Sequence, residues 1–252
     1  MSRAVLVTGA AAGLGRAVAL AFAERGDRVA VHYNSSQAAA EQTLEALPGD
    51  GHVLVQGDLA QAAQRIADTA EDALGGVDVL VNNAAVVTTT ANAHPVAGST
   101  FEHWQQVWDK TVAVNLLGAA NVTFCVARHM IERGVPGRIV NVGSRGAFRG
   151  EPDHPAYGAT KAALHSMGQS LAASLAPHGI AVTSVAPGFI ATERVADWLT
   201  GERGDALRAQ SPFGRVAEAK EIAEAIVYLA APGSSWASGA ILDLNGASYL
   251  RT

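Results

Sequence analysis

Thr8-Gly9-Ala10-Ala11-Ala12-Gly13-Leu14-Gly15 follows the apolar run Val5-Leu6-Val7 and leads into a helical stretch, residues 16–24. Glycines at 9, 13 and 15 let the chain turn sharply. They also let backbone N–H groups approach a pyrophosphate at a helix N-terminus, where the helix dipole favours anions. The spacing is G-x-x-x-G-x-G, and no Gly-Lys-Ser/Thr ending follows, which excludes a P-loop. Strand, glycine turn and helix at the head of an alternating pattern set the fold class.

Outward from this turn, short β-rich runs alternate with Ala-rich helical stretches. Strands are expected at 28–33, 52–56, 77–81, 138–142, 180–185 and 241–244. Helices are expected at 37–47, 62–73, 101–133, 156–176 and 222–229. Strands apolar on both faces, each followed by a helix, indicate a parallel sheet covered on both sides. The expected fold is a three-layer α/β/α Rossmann fold with a doubly wound parallel sheet. With no linker or repeat, residues 1–252 form one domain. Residues 91–100 are expected to be loop, and 192–213 an irregular excursion or a flap over a pocket.

Composition narrows the function. The 252 residues are 49% hydrophobic and 16% charged, and net charge is −5. That excludes disorder and shows no basic patch, so nucleic acid is not an expected partner. One cysteine, Cys125, excludes an intrachain disulfide. The eight histidines lack metal-ligand spacing, so no metal is expected. No run approaches the ~18 apolar residues of a membrane span, and Met1-Ser2-Arg3 running straight into the first strand leads to the expectation of no signal peptide. A soluble, cytoplasmic protein is expected.

Tyr157 and Lys161 lie four residues apart and share one helix face. Ser144 stands just past the fifth strand, at the carboxyl edge where ligands bind in such sheets. Asn115 falls inside a long helix, a poor place for Asn unless its side chain or a backbone break has a use. A lysine cation near a tyrosine favours the phenolate and lowers its pKa. Such a tyrosine can exchange a proton with a carbonyl or hydroxyl oxygen, and a serine hydroxyl can bond the same oxygen.

These residues resemble the short-chain dehydrogenase/reductase family over nearly the whole chain. The resemblance rests on the glycine turn, Gly57-Asp58-Leu59, Asn82-Asn83-Ala84-Ala85 and Val114-Asn115-Leu116. It continues through Asn141 to Ser144, Tyr157 to Lys161, Ala186 to Thr192 and Leu244 to Gly246. It is nearest to the 3-oxoacyl-carrier-protein reductase and sugar-dehydrogenase branches. It implies hydride transfer between a nicotinamide cofactor and a carbonyl or secondary alcohol substrate. Tyr157 would be the general acid/base, and Lys161 would lower its pKa and hold the nicotinamide ribose. Ser144 would orient the substrate, and Asn115 would position a relay water.

The resemblance also implies cofactor contacts. Gly9, Ala12, Gly13, Leu14 and Gly15 would cradle the pyrophosphate. Asp58 would bond the adenine beside Leu59, although it can equally cap the helix that follows. Asn83 and Ala84 would line the adenosine ribose, unless Asn83 is a structural turn residue, and Ala85 would stand beside the cofactor. Ala85 departs from the glycine usual in the family. Pro187, Gly188, Ile190 and Thr192 would hold the nicotinamide. The acid that would bond a ribose 2′-hydroxyl is absent at Tyr33-Asn34. Asn34, Ser35 and Ser36 can bond a 2′-phosphate instead, with Arg16 or His32 adding charge, so NADP is expected over NAD. A substrate pocket is expected between residues 144–154, 85–95 and the flap. The family also implies a homotetramer or homodimer. A non-catalytic, cofactor-binding sensor or scaffold is the rival reading.

Overall fold

The computed structural model describes residues 2–193 and 198–251. In chain order, β1 (Ala4–Val7) leads into α1 (Gly13–Ala23), β2 (Arg28–Tyr33) into α2 (Gln37–Ala46), and β3 (Val53–Gln56) into α3 (Leu59–Leu74). β4 (Val79–Asn82) precedes α4 (Phe101–Val112), a π-helical turn (Ala113–Gly118) and α5 (Ala119–Arg133). Then come β5 (Arg138–Val142), α6 (Gly146–Arg149), α7 (Pro155–Leu175), β6 (Ala181–Pro187) and β7 (Ile190–Ala191). The chain closes with α8 (Gly201–Arg208), β8 (Ala217–Glu218), α9 (Ala219–Leu229) and β9 (Ile241–Leu244).

The main sheet has seven strands in the order β3-β2-β1-β4-β5-β6-β9. Every pairing is parallel. The order reverses between β1 and β4, so the loops after them meet at the carboxyl edge.

Alternation along the strands builds two cores. Val5, Val7, Val29, Val31 and Val79 point to one face and meet Val18 and Phe22 of α1 and Ile222 and Ile226 of α9. Ala4, Leu6, Ala30 and Leu80 point to the other and meet Ile66 of α3 and Val122, Val126 and Met130 of α5. Each fully buried Val or Leu contributes about 1.5–3 kcal/mol. The sheet is thus covered on both sides, as the sequence pattern indicates.

Some boundaries differ from the sequence-based expectation. The helix after β3 starts at Leu59, three residues early, because the Asp58 carboxylate accepts from Ala60 N–H (2.9 Å) and caps it. The region 91–100 holds a short 3₁₀ turn at its start, capped by Thr89. The irregular region contains α8, and β7 and β8 form a separate two-stranded sheet. Residues 194–197 of the expected flap lie outside the described residues. The helix Phe101–Arg133 runs 33 residues and is long and apolar enough, by those measures alone, to cross a membrane. Its inward side is packed on the second core, and Leu117 and Phe124 remain exposed on its outside.

Candidate active site

The glycine turn is built around close backbone contacts. Gly9 has φ +66°, and a Cβ there would lie 2.9 Å from Ala84 Cα. At Gly15 a Cβ would lie 2.1 Å from Gly9 O, so no side chain fits. Asn83 locks the turn to β4: its Nδ2 donates to Thr8 O (2.9 Å) and Gly9 O (3.1 Å). Thr8 Oγ1 accepts from the N–H groups of Asn83 (2.9 Å) and Ala84 (3.1 Å). Asn83 is thus a structural tie here, with Thr8 as its partner.

His32 also belongs to this turn, and not as a cation. Gly9 N–H donates to its Nδ1 (3.0 Å), and its Nε2 lies 3.1 Å from Gly57 O. Burial pushes its pKa down to about 4, although the Gly57 carbonyl and Asp58 pull the other way. The ring is neutral, with Nε2 carrying the proton that Gly57 O accepts. The expectation that His32 adds charge for a phosphate is therefore corrected.

What remains open at the turn suits a dinucleotide. Ala12, the N-cap of α1, makes no side-chain cap bond, so the first-turn N–H groups of Gly13, Leu14 and Gly15 have no intrahelical acceptor. Such a helix start favours an anion. Thr192 faces it, with its Cγ2 3.4 Å from where a Gly13 Cβ would be. Asn34 and Ser35 are exposed just past β2, and Tyr33 is buried at its end.

At the carboxyl end of β5, Ser144 Oγ accepts from Gly146 N–H (3.0 Å) and also hydrogen-bonds Tyr157. Lys161 is buried, and its Nζ donates to Val142 O (2.7 Å) and lies 5.7 Å from the Tyr157 ring centroid. Asn115 sits in the π turn, so the sequence anomaly marks a true break in helical geometry. Its Oδ1 accepts from Val86 N–H (2.7 Å), and its Nδ2 donates to Val86 O (3.3 Å) and Thr160 Oγ1 (3.4 Å). The π turn thereby fastens the segment after β4 to α7. Ser144, Tyr157 and Lys161 come together, and Asn115 holds the wall beside them.

The electrostatics correct one expectation. Burial pushes the Tyr157 phenol up to about 12, the Ser144 hydrogen bond opposes this, and Glu151 adds to it. Burial brings Lys161 down to about 8. Desolvation thus outweighs any favour the lysine lends the phenolate, and Tyr157 is held in its protonated form.

The expected pocket is divided in two. A narrow crevice beside Tyr157 is lined by Val86, Val87, Thr88, Asn92 and His154. A larger cavity of about 290 Å³ lies behind Phe189, walled in part by 207–213 of the flap region. Arg145, in the segment 144–154 expected to wall the substrate pocket, is buried and turned toward the latter. The backbone of Pro187 and Gly188 ties this region together: Arg145 N–H donates to Pro187 O (3.0 Å), and Gly188 N–H donates to Leu244 O (3.0 Å). Among the described residues no group of three or more potential metal ligands occurs.

Comparison with known proteins agrees with this architecture. The family model described as enoyl-(acyl carrier protein) reductase matches residues 9–246. An L-rhamnose 1-dehydrogenase (NAD(P)(+)) from a Sphingomonas strain is 37% identical, covering 98% of this chain and 96% of its own. A 3-oxoacyl-[acyl-carrier-protein] reductase from Staphylococcus aureus is 33% identical over 99% of both chains. A short-chain dehydrogenase/reductase mutant from Serratia marcescens superposes with a TM-score of 0.87 at 30% identity, covering 98% of this chain and 97% of that one. The chain belongs to the short-chain dehydrogenase/reductase family of NAD(P)-dependent oxidoreductases acting on CH–OH and C=O groups.

Proposed function

We propose that the chain is an NADP-dependent reductase of a small hydroxylated carbonyl compound, with Tyr157 as the proton donor and cofactor and catalytic groups in one domain. The observation that carries this reading is the joining of Ser144 and Tyr157 above a buried Lys161, with the phenol protonated. A protonated phenol can donate to a carbonyl oxygen as negative charge develops there. Ser144 can share that oxygen and stabilise the charge. Lys161, held at the base by Val142 O, can restore the phenol's proton. Bound nicotinamide would supply the hydride.

Gly9, Ala12, Gly13, Leu14 and Gly15 would hold the pyrophosphate, with Thr192, Ile190, Pro187 and Gly188 on the nicotinamide side. Asp58, with Leu59 beside it, would receive the adenine through the carboxylate oxygen that does not cap α3. Asn83, Ala84 and Ala85 would shape the adenosine pocket. The 2′-phosphate would rest on Asn34, Ser35 and Ser36, with Arg16 as the remaining cation, since His32 is neutral. Thr88, Asn92 and His154 make the wall of the narrow crevice beside Tyr157 polar, which suits a hydroxylated substrate. The likeness to a rhamnose dehydrogenase points the same way. Exposed Leu117 and Phe124 support a homo-oligomer packed through the outer side of the long helix. Phe124→Glu should then reduce the mass seen by light scattering, and a wild-type monomer would defeat this part.

Tyr157→Phe should lower turnover of NADPH with small hydroxyketones by roughly 10³-fold while NADPH still binds. Retained turnover would sink the assignment of Tyr157. Equal fluorescence titrations with NADPH and NADH would sink the NADP preference, and binding without turnover of any carbonyl would favour the scaffold reading.

A further inference from the structure

The cavity behind Phe189 has no part in the mechanism above. None of Ser144, Tyr157, Lys161 or Asn115 lines it. Its volume of about 290 Å³ is close to the ~300 Å³ at which ligand pockets begin. Its apolar wall is Phe189, Leu207, Phe213, Val216, Ile222 and Leu244.

The charges around it do not balance. Glu221 is neutralised by Arg215 through two hydrogen bonds of 2.7 Å. Asp243 is neutralised by Arg251 (2.8 Å). Arg149 and Glu151 act on Arg145 from nearby with opposite sign. That leaves the Arg145 guanidinium, 5% exposed. It stacks 5.1 Å over the Phe189 ring and donates to Ser248 Oγ and Gln210 Oε1. Both acceptors are neutral, and Arg145 forms no ion pair among the described residues. A buried cation without a counter-ion is costly, and a carboxylate suits the guanidinium fork. Beside the guanidinium, Ala247, just before Ser248, has φ +57°, a conformation rare outside glycine. Such strain clusters at ligand clamps and functional sites.

We propose that this cavity binds a small organic monocarboxylate, its carboxylate on Arg145 and its apolar body, about the size of a benzene ring, against Phe189, Leu244 and Val216. The site is distinct from the catalytic crevice. The ligand would sit one residue from Ser144 and on the reverse side of the segment Pro187 to Thr192.

Benzoate is the probe and benzamide its neutral counterpart, each titrated calorimetrically into the full chain. Benzoate should bind roughly tenfold or more tightly than benzamide, because only the anion meets the guanidinium as a charge. Ser248→Asp places a carboxylate on Arg145 from within and should abolish this preference, whereas Ser248→Ala should keep it. Val216→Trp fills the cavity and should remove binding of both probes. Tyr157→Phe and saturating NADPH should leave benzoate affinity unchanged, which keeps this test separate from the proposed catalytic reading. Equal affinity for the two probes, no benzoate binding, or a preference that survives Ser248→Asp would overturn the proposal. If Val216→Trp fails to fold, Ser248→Asp still decides it.

Discussion

Two buried histidines, 133 positions apart in sequence, divide the molecule into two kinds of interior. Around His32, at the glycine turn, both ring nitrogens face partners, Gly9 N–H and Gly57 O. Around His165, on α7 behind Ser144, the ring's one nearby hydrogen-bonding group is the Ser144 backbone, and neither ring nitrogen makes a well-formed hydrogen bond among the described residues. That ring is held by stacking on Phe148 at 5.2 Å and by Gly143, whose missing Cβ would fall 2.1 Å from His165 Cε1. Burial lowers both pKa values to about 4. The turn is therefore specified by paired polar groups, and the region behind Ser144 by shape. Substitutions that respect shape but delete polarity should injure the first and spare the second.

The most severe test of the first half is Gly15→Ala. Its Cβ would meet the backbone oxygen of Gly9 at 2.1 Å and Asn83 Nδ2 at 2.6 Å, so the whole turn must shift. A loss of about 3 kcal/mol or more in chemical denaturation is expected, together with loss of dinucleotide binding. Wild-type stability in this variant would show that the turn is looser than its contacts imply.

Acid should expose the same contrast next in size. In the fold the His32 pKa is about 4, against an ordinary value of 6.5. Above 6.5 neither folded nor unfolded chain binds this proton. Between 6.5 and 4 the unfolded chain takes it up and the fold does not, so stability is lost as pH falls through that window. The loss from His32 alone is on the order of 3 kcal/mol. His165 acts in the same direction. In His32→Phe the acid slope should shrink, while stability at pH 8 should drop by about 2–3 kcal/mol because Gly9 N–H and Gly57 O lose their partner. A slope unchanged in His32→Phe would assign the acid sensitivity elsewhere.

The sequence made the sheet legible because the central strands are buried on both faces, so apolar runs and their helices could be placed to within a few residues. It also marked the π turn, since an Asn at 115 has no reason to sit within a regular helix. Two-residue strands such as β7 and β8 carry no periodicity and could not be found. The tyrosine–lysine pair was legible as a spacing, but spacing does not show desolvation, and desolvation sets the direction of the Tyr157 shift. His32 was misjudged for the same reason: a histidine at a strand end can be a cation or a buried acceptor, and only the N–H of Gly9 decides which. Arg145 gave no sequence signal of its burial either, since only the fold turns its guanidinium over Phe189.

His165→Leu should have the smallest effect, and it tests the second half of the comparison most directly. The change removes two buried nitrogens that lack well-formed hydrogen bonds, which relieves a desolvation cost of about 1–3 kcal/mol for an unsatisfied group. It also gives up the stack on Phe148, worth about 0.5–1.5 kcal/mol. These terms oppose one another and are similar in size, so the net change at pH 8 should stay within about 1 kcal/mol. The acid slope should fall, since one depressed histidine is gone. A loss as large as that of His32→Phe would mean that the nitrogens of His165 are satisfied after all, through buried water bridging toward the unpaired Asp243 Oδ1. The two histidines would then be held alike, and the region behind Ser144 would owe its form to polarity as much as the turn does.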